Sequence, residues 1–198
     1  MSKITLYDKY TSVTGKPIDI FKAIESIRDA TYERQIKNVR LFINDKPKRD
    51  IEKKKLPLLG FGGTFTSRGN NNLIQSSGYA ILDFDHVEDI VLLSQEVNKD
   101  DFTFSSFISP SGDGLKVIVK IPLVDNDTDY KSFYLELQKH YNKYAPTDDS
   151  TKDISRATFV SFDPDLFINV NSELFTDRFI AETVVREKVN IPLSDMDE

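Results

Sequence analysis

Hydrophobic and polar residues alternate over residues 3–7 (KITLY), which predicts a short strand. Asp19 is followed by Ile20, Phe21, Ile24 and Ile27 at helical spacing, so a capped helix is predicted from about Ile20 to Lys37. VRLFI (39–43) reads as β, and the lysine-rich stretch after it reads as a loop. Over 56–85, two extended arms flank SRGNNN, which is dense in turn formers. A β-hairpin arrangement follows, its second arm ending in Asp83 and Asp85. Val87, Ile90, Val91 and Val97 fit a helix after that arm. FTFSSFI (102–108) and LKVIVKI (115–121) predict two strands around the turn SPSGDG. A helix from Asp127 to Tyr144 would carry Tyr130, Phe133, Tyr134, Leu137, Tyr141 and Tyr144 as one stripe, the pattern of a core-facing helix. RATFVSF (156–162) reads as a further strand, and the weakly patterned 171–187 as a helix before a loose tail. Helices and strands mix without strict βαβ alternation, so the fold class predicted is α+β, with a largely antiparallel sheet covered by helices on one side.

Composition narrows the chemistry. The 198 residues include no cysteine, which excludes a disulfide scaffold and thiolate-bound zinc, and two histidines, too few for a His-rich metal site. No apolar run is long enough to span a bilayer and no signal-peptide pattern opens the chain, so a soluble intracellular protein is expected. A net charge of −6 argues against a generally sticky nucleic-acid binder. The stretch KPKRDIEKKK (46–55) nevertheless carries six bases against two acids, suited either to a phosphate backbone or to a solvated loop.

Three stretches carry candidate chemistry. In GYAILDFDHV (78–87), Asp83 and Asp85 lie two apart on a strand, on one face and about 6.6 Å apart along it. Like charges so placed repel unless a cation lies between them, so the pair reads as hard oxygen ligands for Mg²⁺ or Mn²⁺, or else as an exposed strand end running into a helix cap. In SPSGDGLK (109–116), Ser109, Ser111, Gly112 and Gly114 offer small side chains and free N–H groups, and Lys116 adds a positive charge. That combination suits an anion cradle or an ordinary hairpin turn. In DDSTKDISRATFVSFDPDLFIN (148–169), Asp148, Asp149 and Asp153 supply further carboxylates, and Arg156 can grip phosphate with two hydrogen bonds. A solvated acidic loop is the other reading of that stretch. Serine-hydrolase, thiol and zincin signatures are absent.

Taken together, SGYAILDFDHV, ISPSGDGLKVIVKIP and DDSTKDISRATFVSFDPDLFIN resemble the three motifs of the archaeo-eukaryotic primase superfamily. The branch most similar is the primase-polymerase domain at the N-terminus of VirE-type proteins of bacteria and phages, and GFGGTFTSRGNNNLIQSSG resembles the segment preceding its first motif. The likeness covers roughly residues 56–170 and rests on the order and spacing of motifs that are individually weak.

That resemblance implies a single two-lobed primase-polymerase domain over 1–198. Residues 1–55 would supply elements of an N-terminal αβ lobe, 56–170 a motif-bearing core with an RRM-like lobe, and 171–198 a helix and tail. It implies a template-directed DNA primase or polymerase, adding (d)NTPs to a 3′-hydroxyl on single-stranded or primed DNA with Mg²⁺ or Mn²⁺. Asp83, Asp85 and Asp149 would be the catalytic metal ligands, with Asp148 as the alternative third acid. Ser109, Ser111, Gly112, Gly114, Lys116 and Arg156 would hold the triphosphate. Many superfamily members carry histidine where this chain has Lys116, a point charge in place of a tunable donor. A replicative helicase is a common partner in this branch, and the cytoplasm of a bacterial or phage-infected cell is the compartment implied. A non-catalytic nucleotide- or nucleic-acid-binding module of the same fold is the alternative, and a metal-dependent nuclease a third.

Overall fold

A computed structural model describes residues 2–148 and 151–180. In chain order its strands are β1 (Lys3–Tyr7), β2 (Lys16–Asp19), β3 (Leu58–Gly60), β4 (Gly63–Phe65), β5 (Leu73–Ser76), β6 (Tyr79–Phe84), β7 (Thr103–Ile108), β8 (Leu115–Lys120), β9 (Thr158–Phe159) and β10 (Phe167–Ile168). The helices are α1 (Ile20–Arg28), α2 (Glu33–Arg40), α3 (Lys46–Lys53), α4 (Ile90–Val97) and α5 (Asp127–Tyr141). One antiparallel sheet has the order β2-β1-β3-β9 and a second the order β10-β7-β8-β6, while β4 and β5 form a separate hairpin. The fold is α+β and largely antiparallel, as the patterning predicts, but its strands form two four-stranded sheets and a hairpin in place of one sheet, and the second sheet is covered on both faces.

Alternation along β6 explains how the layers meet. Ala80, Leu82 and Phe84 point to one face and pack with Leu115, Val117 and Val119 of β8 against α4 and the aromatic stripe of α5. Tyr79 and Ile81 point the other way, into a second core with Ile118, Phe104, Phe107, Leu59, Phe61 and the α1 residues Ile20, Ile24 and Ile27. The next residue on that face is Asp83, so the apolar contact between the two sheets gives out where the carboxylates begin.

Several expectations are corrected. Asp19 does cap a helix, accepting hydrogen bonds from Phe21 N and Lys22 N, but α1 stops at Arg28 because Asp29 turns its carboxylate onto Thr31 N and starts a single 3₁₀ turn. Phe21 is 44% exposed, meeting Phe104 edge-on instead of joining the helix's buried stripe. Residues 39–43 are not a strand: α2 runs to Arg40, and Leu41 and Ile43 face solvent. The basic strip is helical over α3, capped by Asp45 with Pro47 in its first turn. The arms of 56–85 pair only next to the SRGNNN turn, as β4 with β5, while β3 joins the first sheet and β6 pairs with β8 in the second. The strand expected at 156–162 shrinks to the two residues of β9. No helix forms over 171–180, which runs extended with Phe175 N bonded to Lys120 O and Phe179 N to Ser132 O; residues 181–187 lie outside the described residues. Among the described residues no helix is long and apolar enough to cross a membrane.

Candidate functional site

A cavity of about 200 Å³ opens where the two sheets part. Its walls bring together Asp83 and Asp85 from the end of β6, Lys116 from β8, Ser109 and Ser111 from the turn between β7 and β8, and Asp148, Thr151 and Arg156 from the segment leading to β9. Of the residues singled out in the sequence, Asp83, Asp85, Ser109, Ser111, Lys116 and Arg156 therefore line one cavity although they span more than seventy positions. Asp149 lies outside the described residues, while its neighbour Asp148 lines the cavity and donates its backbone N–H to Asp83 O at 2.9 Å. Asp153 turns away, pairing with Lys131 at 2.7 Å.

Register sets the central contact. Asp83 and Lys116 sit directly opposite each other across the β6–β8 ladder and on the same face, so Lys116 Nζ meets Asp83 Oδ2. Both side chains are largely buried, 6% exposed for Lys116 and 17% for Asp83. The other carboxylate oxygen, Asp83 Oδ1, is buried without a hydrogen-bond partner. Asp85 stands at the rim. Burial first, and the charge of Asp83 second, raise its pKa above the ordinary carboxylate value, with Asp148 adding to the repulsion and Lys116 and His86 opposing it. Immediately after it, His86 adopts a left-handed backbone with φ 53°, turning the chain sharply off the strand.

The turn after β7 is built for close approach. Gly112 has φ 83°, a conformation in which a side chain is strained, and a Cβ on Gly114 would lie 2.5 Å from Phe84 O, closer than a side chain can sit. These glycines shape the turn, and its serines face the cavity. Ser109 Oγ is buried and unpartnered, and Ser111 Oγ accepts from Lys53 Nζ at 3.2 Å.

Lys53, which the sequence offers only as one of the bases of the 46–55 strip, also lines the cavity. It reaches in from α3, lies over the Phe159 ring at 5.7 Å, and has its pKa lowered by burial and by the nearby charge of Lys116. Arg40 was missed, and Arg49 likewise stands in the sequence only as a base of that strip. Arg40 donates to Ser109 O at 3.2 Å and Phe162 O at 3.0 Å, and Arg49 meets Asp113 at 3.5 Å, so α2 and α3 brace the turn from the first sheet's side. The available signal was Asp45 followed by Pro47, a helix-start pattern that would have placed Arg49 and Lys53 on one helix.

Lys53 and Arg156 have no carboxylate within ion-pair distance among the described residues, which leaves two cations facing the same cavity as the carboxylates. No three His, Cys, Asp or Glu side chains among the described residues form a ready-made metal cage. The orphaned Asp83 Oδ1 beside Asp85 nonetheless fits a hard divalent cation, which takes carboxylate oxygens and tolerates an incomplete protein shell. A cleft with carboxylates on one strand and hydroxyls and cations on the adjoining walls can offer oxygen ligands to a cation and hydrogen bonds and positive charge to an anion.

The chain belongs to the family described as BT4734-like, N-terminal domain, whose pattern matches residues 51–167. That span begins on α3 and holds all three chemistry-bearing stretches up to β10. No curated protein and no solved structure is significantly similar to the chain.

Proposed function

We propose that this chain is the catalytic domain of a metal-dependent nucleotidyltransferase, a DNA primase or polymerase that adds (d)NTPs to a 3′-hydroxyl on a nucleic-acid template. The observation that carries the reading is the convergence of Asp83 and Asp85, Ser109 and Ser111, and Lys53 and Arg156 on one cavity between two sheets. In this reading the two sheets correspond to the αβ and RRM-like lobes of the primase-polymerase fold. The chain succession β6-α4-β7-β8-α5-β10, with β8 lying between β6 and β7, supports that correspondence, whereas β10 pairs with β7 and not with β6, the edge an RRM uses.

Asp83 and Asp85, with an acid at 148 or 149, would hold Mg²⁺ or Mn²⁺, which when bound supplies Lewis-acid activation of the hydroxyl and neutralises the leaving phosphates. The chain's own residues orient the nucleotide. Ser109 and Ser111 offer hydroxyl donors, Lys53 and Arg156 offset phosphate charge from two walls, and Arg40 keeps the Ser109 turn in place. The 3′-oxygen forms its bond to the α-phosphorus as the bond to pyrophosphate breaks.

Primer extension and de novo priming assays, with dNTPs and NTPs tried separately in Mg²⁺ and Mn²⁺, test the proposal. Incorporation abolished by Asp83→Ala with Asp85→Ala supports it, and incorporation unchanged by that double substitution overturns it. The pairing of Lys116 with Asp83 favours a second reading, a nucleotide-binding module without synthesis. Nucleotide-dependent thermal stabilisation without incorporation on any template would select it.

A further inference from the structure

The contact between Lys116 and Asp83 carries a consequence for what this site will accept. Lys116 occupies one oxygen of the carboxylate that the proposed function assigns to a metal, and it does so from a strand position directly opposite, with its side chain almost wholly buried. A lysine so placed already supplies the positive charge that a divalent cation would bring. A free cation approaching Asp83 therefore meets an ammonium at close range, in surroundings where like charges repel more strongly than in water.

An anion changes that balance. Ser109, Ser111 and Lys53 line the same cavity as Lys116, so a phosphate group resting on them comes within the reach of a flexible lysine stem. Lys116 can then turn from Asp83 to phosphate, leaving both Asp83 oxygens to a cation that arrives with the phosphate.

We infer that Lys116 is an internal counter-ion that makes the site select a metal–polyphosphate complex over the free divalent ion. This rests on the nucleotidyl-transfer reading and names the form in which its substrate binds. Linkage makes the effect reciprocal: polyphosphate raises cation affinity at Asp83, and the cation raises polyphosphate affinity by the same factor.

Mn²⁺ titration of the full chain, followed by electron paramagnetic resonance without any nucleotide, tests the inference. Wild type should bind Mn²⁺ weakly, and Lys116→Met and Lys116→Gln about tenfold or more tightly, a gain that Asp83→Asn added to either variant abolishes. Lys116 variants that bind Mn²⁺ no more tightly than wild type overturn the inference. If both variants fail to fold, wild-type melting decides. Mn²⁺ with tripolyphosphate must raise the melting temperature by more than the sum of the two separate shifts, and Asp83→Asn must remove the excess; simple additivity overturns the inference. Mn²⁺ bound through Asp83 without any Lys116 effect leaves the nucleotidyl-transfer reading standing. Absence of Asp83-dependent Mn²⁺ binding in every variant, with or without nucleotide, overturns both.

Discussion

Two acidic centres in this molecule treat their carboxylates in opposite ways. Asp100, before β7, has a side chain only 4% exposed and is surrounded by donors: His140 Nε2 at 2.7 Å, Tyr144 OH at 2.8 Å, and Lys143 Nζ and Phe102 N at 3.1 Å. Burial alone would raise its pKa, but the hydrogen bonds from His140, Tyr144, Phe102 and Lys143 outweigh burial and lower it. At the end of β6 the balance is reversed. Asp83 keeps one oxygen orphaned, and Asp85 is pushed upward by burial and by its acidic neighbours. The first centre is electrostatically closed, and it ties the end of α5 to the loop before β7. The second leaves Asp83 Oδ1 and Ser109 Oγ unpartnered beside a cavity, and a folded protein keeps such unmet groups where a ligand can meet them.

Substitutions at the closed centre should carry the largest cost in stability. Asp100→Ala takes a buried acceptor away from three side-chain donors, of which Lys143 is half exposed, and is expected to lower the unfolding free energy by about 2 kcal/mol. Urea denaturation measures that loss, and an unchanged midpoint would break the comparison. Asp85→Asn should do the reverse, cutting nucleotide incorporation at least about a hundredfold while the melting temperature stays level or rises, because it relieves repulsion.

Acid sharpens the contrast further. The folded pKa of Asp100 lies below its unfolded value, so its contribution is complete above about pH 4 and is lost as pH falls through the folded pKa. Stability measured between about pH 6 and pH 3 should therefore fall more steeply for wild type than for Asp100→Asn.

Asp19 offers an intermediate case and the smallest effect. One of its oxygens caps α1 and the other is buried without a partner, so Asp19→Ala is expected to cost about 1 kcal/mol, less than the loss at Asp100. Calorimetry would resolve the difference.

How much of this was readable in advance depended on what holds each element. The strands β6, β7 and β8 are buried on both faces and read as short, mostly apolar runs bounded by turn formers, so the aspartates and the serine turn could be located at their ends. α3 is different. Its buried residue is Arg49, Ile51 points to solvent, and its place is set by polar contacts from Arg49 to Ile43 O and Asp113. A helix docked through charged groups has no apolar period to detect, so 46–55 read as loop and Lys53 could not be placed on the cavity. The break in the first long helix was likewise decided by one side chain, Asp29, accepting from the backbone N–H of Thr31.

The pairing of β3 with β9 joins Leu58 to Phe159 and Leu59 to Thr158, about a hundred residues apart. A ribosome must therefore release most of this domain before the first sheet can acquire its last strand. Since Thr158 and Phe159 also form one wall of the cavity, the nascent protein has no complete site until then. Such distant pairing makes for slow closure, and β3 waits as an uncovered edge while about a hundred further residues are made.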